Sequence, residues 1–99
     1  MRIEEVKEDS GLKMIIDGKI DTLTCNEFQN AVLKAFQKTN NLIIDMESVT
    51  YVSSAGLRAL IIGQRTAETK GGSLSVINAS DSVKDVFRVT GFDKVLDIR

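Results

Sequence analysis

Histidine, proline and tryptophan are absent from this sequence of 99 residues, and cysteine occurs once, at Cys25. Each absence removes a class of chemistry. Without histidine there is no Ser-His-Asp or Cys-His machinery and no histidine metal site. One cysteine forms neither an internal disulfide nor a cysteine-rich zinc site. No glycine-rich phosphate loop ending in lysine is present. The residues therefore offer no catalytic, cofactor or metal site, and the chain reads as a non-enzyme. Charge is nearly balanced at −1, so no long-range field draws it to nucleic acid or to an anionic membrane. Apolar runs are short, as in Leu42-Ile43-Ile44, and none spans a bilayer. The charged stretch Glu4-Glu5-Val6-Lys7-Glu8-Asp9 stands where a secretory signal needs apolar residues. The expectation is one cytoplasmic domain over residues 1–99, without membrane insertion and monomeric in isolation.

What is present supports a folded core. Hydrophobic residues make up 42% and charged residues 27%, the balance of a globular chain. Ile3–Lys7 and Leu12–Asp17 read as strands. Glu8-Asp9-Ser10-Gly11 between them has turn chemistry, which predicts an antiparallel hairpin. Asp21–Thr24 is polar and reads as a loop. Thr24 and Glu27 have the spacing of a capping box. Phe28, Ala31, Val32, Ala35 and Phe36 then recur at helical spacing, predicting a helix that ends near Lys38 with Asn40 or Asn41 as a left-handed cap.

Leu42–Met46 is a compact apolar run and predicts a buried strand. Leu57, Leu60, Ile61 and Ala67 mark a second helix, stopped by Lys70-Gly71-Gly72. Ser73–Ile77 alternates as a strand. Ser80-Asp81 opens a third helix with Val83, Val86 and Phe87 inward and Gly91 past its end. Val95–Ile98 is a short candidate last strand. The order β-β-α-β-α-β-α(-β) predicts an α/β fold, a small mixed sheet with packed helices and parallel crossovers.

The segment Val49-Thr50-Tyr51-Val52-Ser53-Ser54-Ala55-Gly56-Leu57-Arg58 sets a hydroxyl pair between a strand and a helix. Either Ser53 or Ser54 suits the N-cap. Ala55 and Gly56 have so little side chain that another protein could approach closely. No base lies in the motif to activate a serine, so a serine modified by another enzyme fits better than a nucleophile.

Asp45 to Arg58 resembles the central signature of the STAS domain, as found in bacterial anti-sigma factor antagonists. Ile16-Asp17-Gly18-Lys19-Ile20-Asp21 is similar to the family's strand followed by a Gly-x-hydrophobic-Asp element. The resemblance covers essentially the whole chain. It implies a STAS-like fold and a partner-switching role. The unmodified protein would bind an anti-sigma factor serine kinase of the histidine-kinase-like ATPase group, freeing a sigma factor. Phosphorylation would end that complex, and a PPM-type phosphatase would restore it. The phosphoacceptor implied is Ser54, two residues before Gly56, with Ser53 as second choice. Ser53 stands where the family often has aspartate. A STAS subunit of a transporter or of a signalling assembly is the alternative within the same fold.

The surface implied for the partner comprises Asp21, Thr22, Ser53, Ser54, Ala55, Gly56, Leu57 and Arg58, with Thr24 at its border. Arg58 lies one helical turn after Ser54 and leans back toward it, within reach of a phosphate there. Asp21 alternatively makes only a local Asx turn, and Cys25 packs as a small half-buried residue.

Overall fold

The computed structural model describes residues 1–99. Asp9 and Ser10 reverse the chain between β1 (Arg2–Glu8) and β2 (Gly11–Ile20), which pair antiparallel from Glu8 opposite Gly11 to Arg2 opposite Asp17. There follow α1 (Cys25–Phe36), β3 (Asn41–Val52), α2 (Ser54–Thr69), β4 (Ser73–Ile77), α3 (Asp81–Thr90), a 3₁₀ turn at Phe92–Lys94 and β5 (Asp97–Ile98). The strands lie side by side in chain order, and every pair after the hairpin is parallel. This is the mixed α/β architecture expected from the alternation of strand and helix patterns.

Two-residue alternation sends Leu12, Met14 and Ile16 of β2, Leu42, Ile44 and Met46 of β3, and Leu74 and Val76 of β4 into the core. Register brings them into rows: Leu12 pairs with Leu42 and Leu42 with Leu74, while Met14 pairs with Ile44 and Ile44 with Val76. Helical spacing supplies the cover. Phe28, Val32, Ala35 and Phe36 of α1 are buried, as are Leu57, Leu60 and Ala67 of α2. Each fully buried phenylalanine contributes about 1.5–3 kcal/mol. Gly63 marks the junction of α1, α2 and β4: a Cβ there would stand 3.0 Å from Val32 Cγ1 and 3.1 Å from Leu74 Cδ1.

Four boundaries differ from the sequence expectations. First, β2 runs to Ile20 instead of ending at Asp17, and β3 runs to Val52 instead of ending at Met46. Its second half pairs with Asp17–Ile20 of β2, through irregularities on either side of Asp17-Gly18, and Gly18 has φ +123°. This non-local ladder recruits Glu47–Val52, whose own pattern is mostly polar. β4 stops at Ile77 opposite Asp45, so the last third of β2 and β3 projects beyond the rest of the sheet.

Second, Thr24 makes no capping box. Its hydroxyl accepts from the Asp21 amide at 2.9 Å and donates to the Lys19 carbonyl at 2.7 Å. Third, neither Asn40 nor Asn41 is left-handed: α1 ends at Gln37 in right-handed geometry, and Asn78 is the non-glycine residue with positive φ. Fourth, Val95–Ile98 holds only the two-residue β5, preceded by the 3₁₀ turn. The stops at Lys70-Gly71 and at Gly91, which is left-handed with φ 76°, follow the expected pattern.

Candidate functional site

The projecting ladder ends at Ile20 and Val52, on the side of the sheet where the parallel strands terminate and α1, α2 and α3 begin. Open α/β sheets place their working surfaces at this end, because helix starts and loops converge there. The two strand ends are tied together: the Ser53 amide donates to the Ile20 carbonyl at 2.8 Å.

Ser53 and Ser54 divide their work at this corner. Ser53 is extended, with φ −87° and ψ 175°, and its hydroxyl accepts from the Gly56 amide at 3.3 Å. Its carbonyl accepts from Leu57 N at 2.9 Å. Ser53 is therefore the N-cap, half-buried and occupied. Ser54 is the first helical residue and is exposed, and its hydroxyl takes part in no hydrogen bond of the fold. The sequence left the cap open between these two serines, and the backbone decides it.

Gly56 and Leu57 lie beneath the surface. Leu57 is 4% exposed and belongs to the core. A Cβ on Gly56 would stand 2.8 Å from both the Ile20 carbonyl oxygen and Ile20 Cγ2, and 3.1 Å from Val52 Cγ1. The absent side chain at Gly56 thus lets α2 sit against the chain's own strand ends, instead of opening space for a visitor. Ala55 is half-buried, and Arg58 is exposed and without an ion pair.

Asp21–Thr24 makes the opposite wall. Asp21 Oδ1 accepts from the Leu23 amide at 2.9 Å and from the Thr24 amide at 3.2 Å, an Asx turn that fixes the loop. Thr22 is exposed, and Cys25 is half-buried with its thiol directed to the Thr22 carbonyl at 3.8 Å. Two features escaped the sequence reading. Leu23 stands 90% exposed on this loop and Tyr51 50% exposed at the end of β3. An apolar residue among Asp21, Thr22 and Thr24 was the available signal for the first. Asp45, 8% exposed, accepts from the Glu47 amide at 3.0 Å and from Asn78 Nδ2 at 3.2 Å, which joins the middle of β3 to the turn before α3.

Electrostatics separate the three helix starts. A helix N-terminus carries about half a positive charge. α1 meets it with Glu27 and α3 with Asp81, but the first turn of α2 contains no acidic residue. The exposed Ser54 hydroxyl therefore sits at an uncompensated positive end. No helix is long and apolar enough to cross a membrane.

Comparison with known proteins agrees with this fold. The anti-sigma-B factor antagonist of Bacillus subtilis is 22% identical over 98 residues, which cover 99% of this chain and 90% of that protein. The crystal structure of an anti-sigma factor antagonist from Mycobacterium paratuberculosis superposes with a TM-score of 0.83 at 22% identity, covering 98% of this chain and 83% of that one. The Bacillus cell fate determinant SpoIIAA in its phosphorylated form gives a TM-score of 0.74 at 17% identity, covering 99% and 91%. The STAS domain pattern itself matches residues 2–99, and this chain belongs to the STAS domain family.

Proposed function

We propose that this protein is an anti-sigma factor antagonist working by partner switching in the cytoplasm, with Ser54 as its switch. In this reading the unmodified chain, a monomer, binds an anti-sigma factor serine kinase and so frees a sigma factor. The kinase transfers the γ-phosphoryl group of ATP to the Ser54 hydroxyl oxygen, releasing ADP and a proton, and the complex dissociates. A PPM-type phosphatase hydrolyses the phosphate and resets the cycle. The observation that carries the proposal is the contrast within the serine pair: Ser53 is committed to the cap, while Ser54 is exposed and unengaged.

A phosphate at this position suits the fold. It adds about −1.5 to −2 charges to a chain of net −1. The helix dipole and the first amides of α2 favour that charge, and no carboxylate in the first turn opposes it. Ser54 is exposed, so its modification disturbs no core contact. The partner sees the reverse. An interface formed against a small neutral hydroxyl must accommodate a hydrated dianion, at a desolvation cost. Asp21, Thr22, Ser53, Ala55 and Arg58 complete the proposed contact surface around Ser54, with Gly56 and Leu57 supporting it from below.

The test is direct. Incubation with the host's anti-sigma serine kinase and ATP, followed by mass spectrometry, is expected to place one phosphate on Ser54 and none on Ser54→Ala. Phosphate confined to Ser53 overturns the assignment. Binding that survives without any phosphorylation points to a non-switching STAS subunit.

A further inference from the structure

Leu23 is the most exposed large hydrophobic residue of the chain, at 90%, and it stands on a loop whose backbone is held by hydrogen bonds. Its amide donates to Asp21 Oδ1, and the Thr24 hydroxyl that follows clamps the loop to the Lys19 carbonyl at 2.7 Å. A flexible loop tip would let a leucine fold inward, but this loop holds it in water. Tyr51 stands across the same strand ends: it pairs with Lys19, whose carbonyl receives the Thr24 bond. Its ring is half-exposed. Ile20, three residues before Leu23, is bonded through its carbonyl to Ser53. Thus two solvated apolar side chains flank the corner that carries Ser54, one on each strand's exit.

Building on the switch reading above, we infer that Leu23 and Tyr51 are the apolar anchors by which the serine kinase that modifies Ser54 docks on this protein. A kinase must bring its bound nucleotide into contact with the Ser54 hydroxyl. A protein interface of ordinary size covers about 800 Å² on each partner, a patch about 16 Å in radius. Centred on Ser54, such a patch takes in the loop that begins beside the bonded Ile20. A kinase surface of that size centred on Ser54 extends to this loop and to the end of β3, and in this inference it receives Leu23 and Tyr51 in apolar pockets. Pre-ordering strengthens the effect, because a fixed loop loses little freedom on binding. Tyrosine is among the residues that most often dominate interfaces. These anchors are neutral, so they act before and independently of the phosphate. They set how well the kinase binds, while Ser54 sets when it leaves.

Binding of the purified host kinase, measured by calorimetry with Leu23→Ala, Tyr51→Ala, Val89→Ala and wild type, tests this. Val89 is the internal control, because it is 82% exposed on α3, outside the Ser54 corner. Leu23→Ala is expected to weaken binding about 10- to 100-fold with an unchanged thermal midpoint, and to slow Ser54 phosphorylation at low protein concentration but not at saturation. Val89→Ala is expected to match wild type. Tyr51→Ala is read only against its own thermal midpoint. Wild-type affinity and phosphorylation rate in Leu23→Ala, with Ser54 still modified, overturn the inference and leave the switch standing. Weakening by Val89→Ala instead of Leu23→Ala also overturns it, and moves the docking surface to α3. If wild type neither binds the kinase nor accepts phosphate, the switch reading fails first and this inference with it.

Discussion

Two helices of this protein are capped in the same way and part at the residue that follows the cap. α2 is capped by Ser53, whose hydroxyl accepts from Gly56 N at 3.3 Å, and α3 by Ser80, whose hydroxyl accepts from Val83 N at 3.2 Å. Both caps are extended, as cap residues must be to free the side-chain oxygen. The next residue is Ser54 in α2 and Asp81 in α3. In α3 a permanent carboxylate answers the positive helix end. In α2 the same position holds a neutral hydroxyl, and the first turn contains no acid. One helix start is finished electrostatically. The other carries no such charge, and in the proposed switch a phosphate on Ser54 supplies it. The proposed phosphate would leave the cap intact, because the cap, Ser53, is a separate residue from Ser54.

The comparison can be tested most severely at Ser54. Ser54→Asp copies the α3 start into α2 and is expected to reduce binding of the serine kinase by about a hundredfold, roughly 3 kcal/mol, measured by calorimetry. Undiminished binding would mean that charge at this position is not what ends the complex. Gly56 comes next, since it separates the two starts sterically. Gly56→Ala places a Cβ 2.8 Å from the Ile20 carbonyl, and the resulting shift of α2 is expected to cost about 1–3 kcal/mol. Urea unfolding reads this loss, and a variant as stable as wild type would show that the α2 start is not pinned to β2.

The caps themselves should be equivalent. Ser53→Ala and Ser80→Ala are each expected to lose about 1 kcal/mol of stability, seen as parallel shifts of the denaturation midpoint. Only Ser53→Ala should disturb phosphorylation of the neighbouring residue, detectable in the kinase rate. Arg58 provides the finest distinction. It is exposed and unpaired in the unmodified protein, one helical turn after Ser54. Arg58→Ala is expected to destabilise the phosphorylated form by up to about 1 kcal/mol and the unmodified form hardly at all. Thermal unfolding of both forms decides it, and equal shifts would count against any contact with the phosphate.

Much of this was legible in the residues, for local reasons. Phe28, Val32, Ala35 and Phe36 can bury together only on one face of a helix, and Leu12, Met14 and Ile16 only on one face of a strand. Gly91 and Ser80 announce a stop and a start with their own chemistry. Where reading failed, a distant partner had intervened. Thr24 has the sequence of a capping box, yet the Lys19 carbonyl and the Asp21 amide claim its hydroxyl. Glu47–Val52 has too few apolar residues for a confident strand, yet Asp17–Ile20 supplies the ladder.

The sequence by itself determined the element order, the mixed sheet with its parallel crossovers, the exclusion of histidine-based chemistry and of an internal disulfide, and the hydroxyl pair at the head of α2. These follow from composition and from periods of two and 3.6 residues, which need no knowledge of the rest of the chain. Tertiary structure alone decided which serine caps and which faces water, why Gly56 must lack a side chain, and that Leu23 and Tyr51 flank the same corner. Those depend on β2 and β3 ending side by side, and a pairing between residues some thirty positions apart has no local signature.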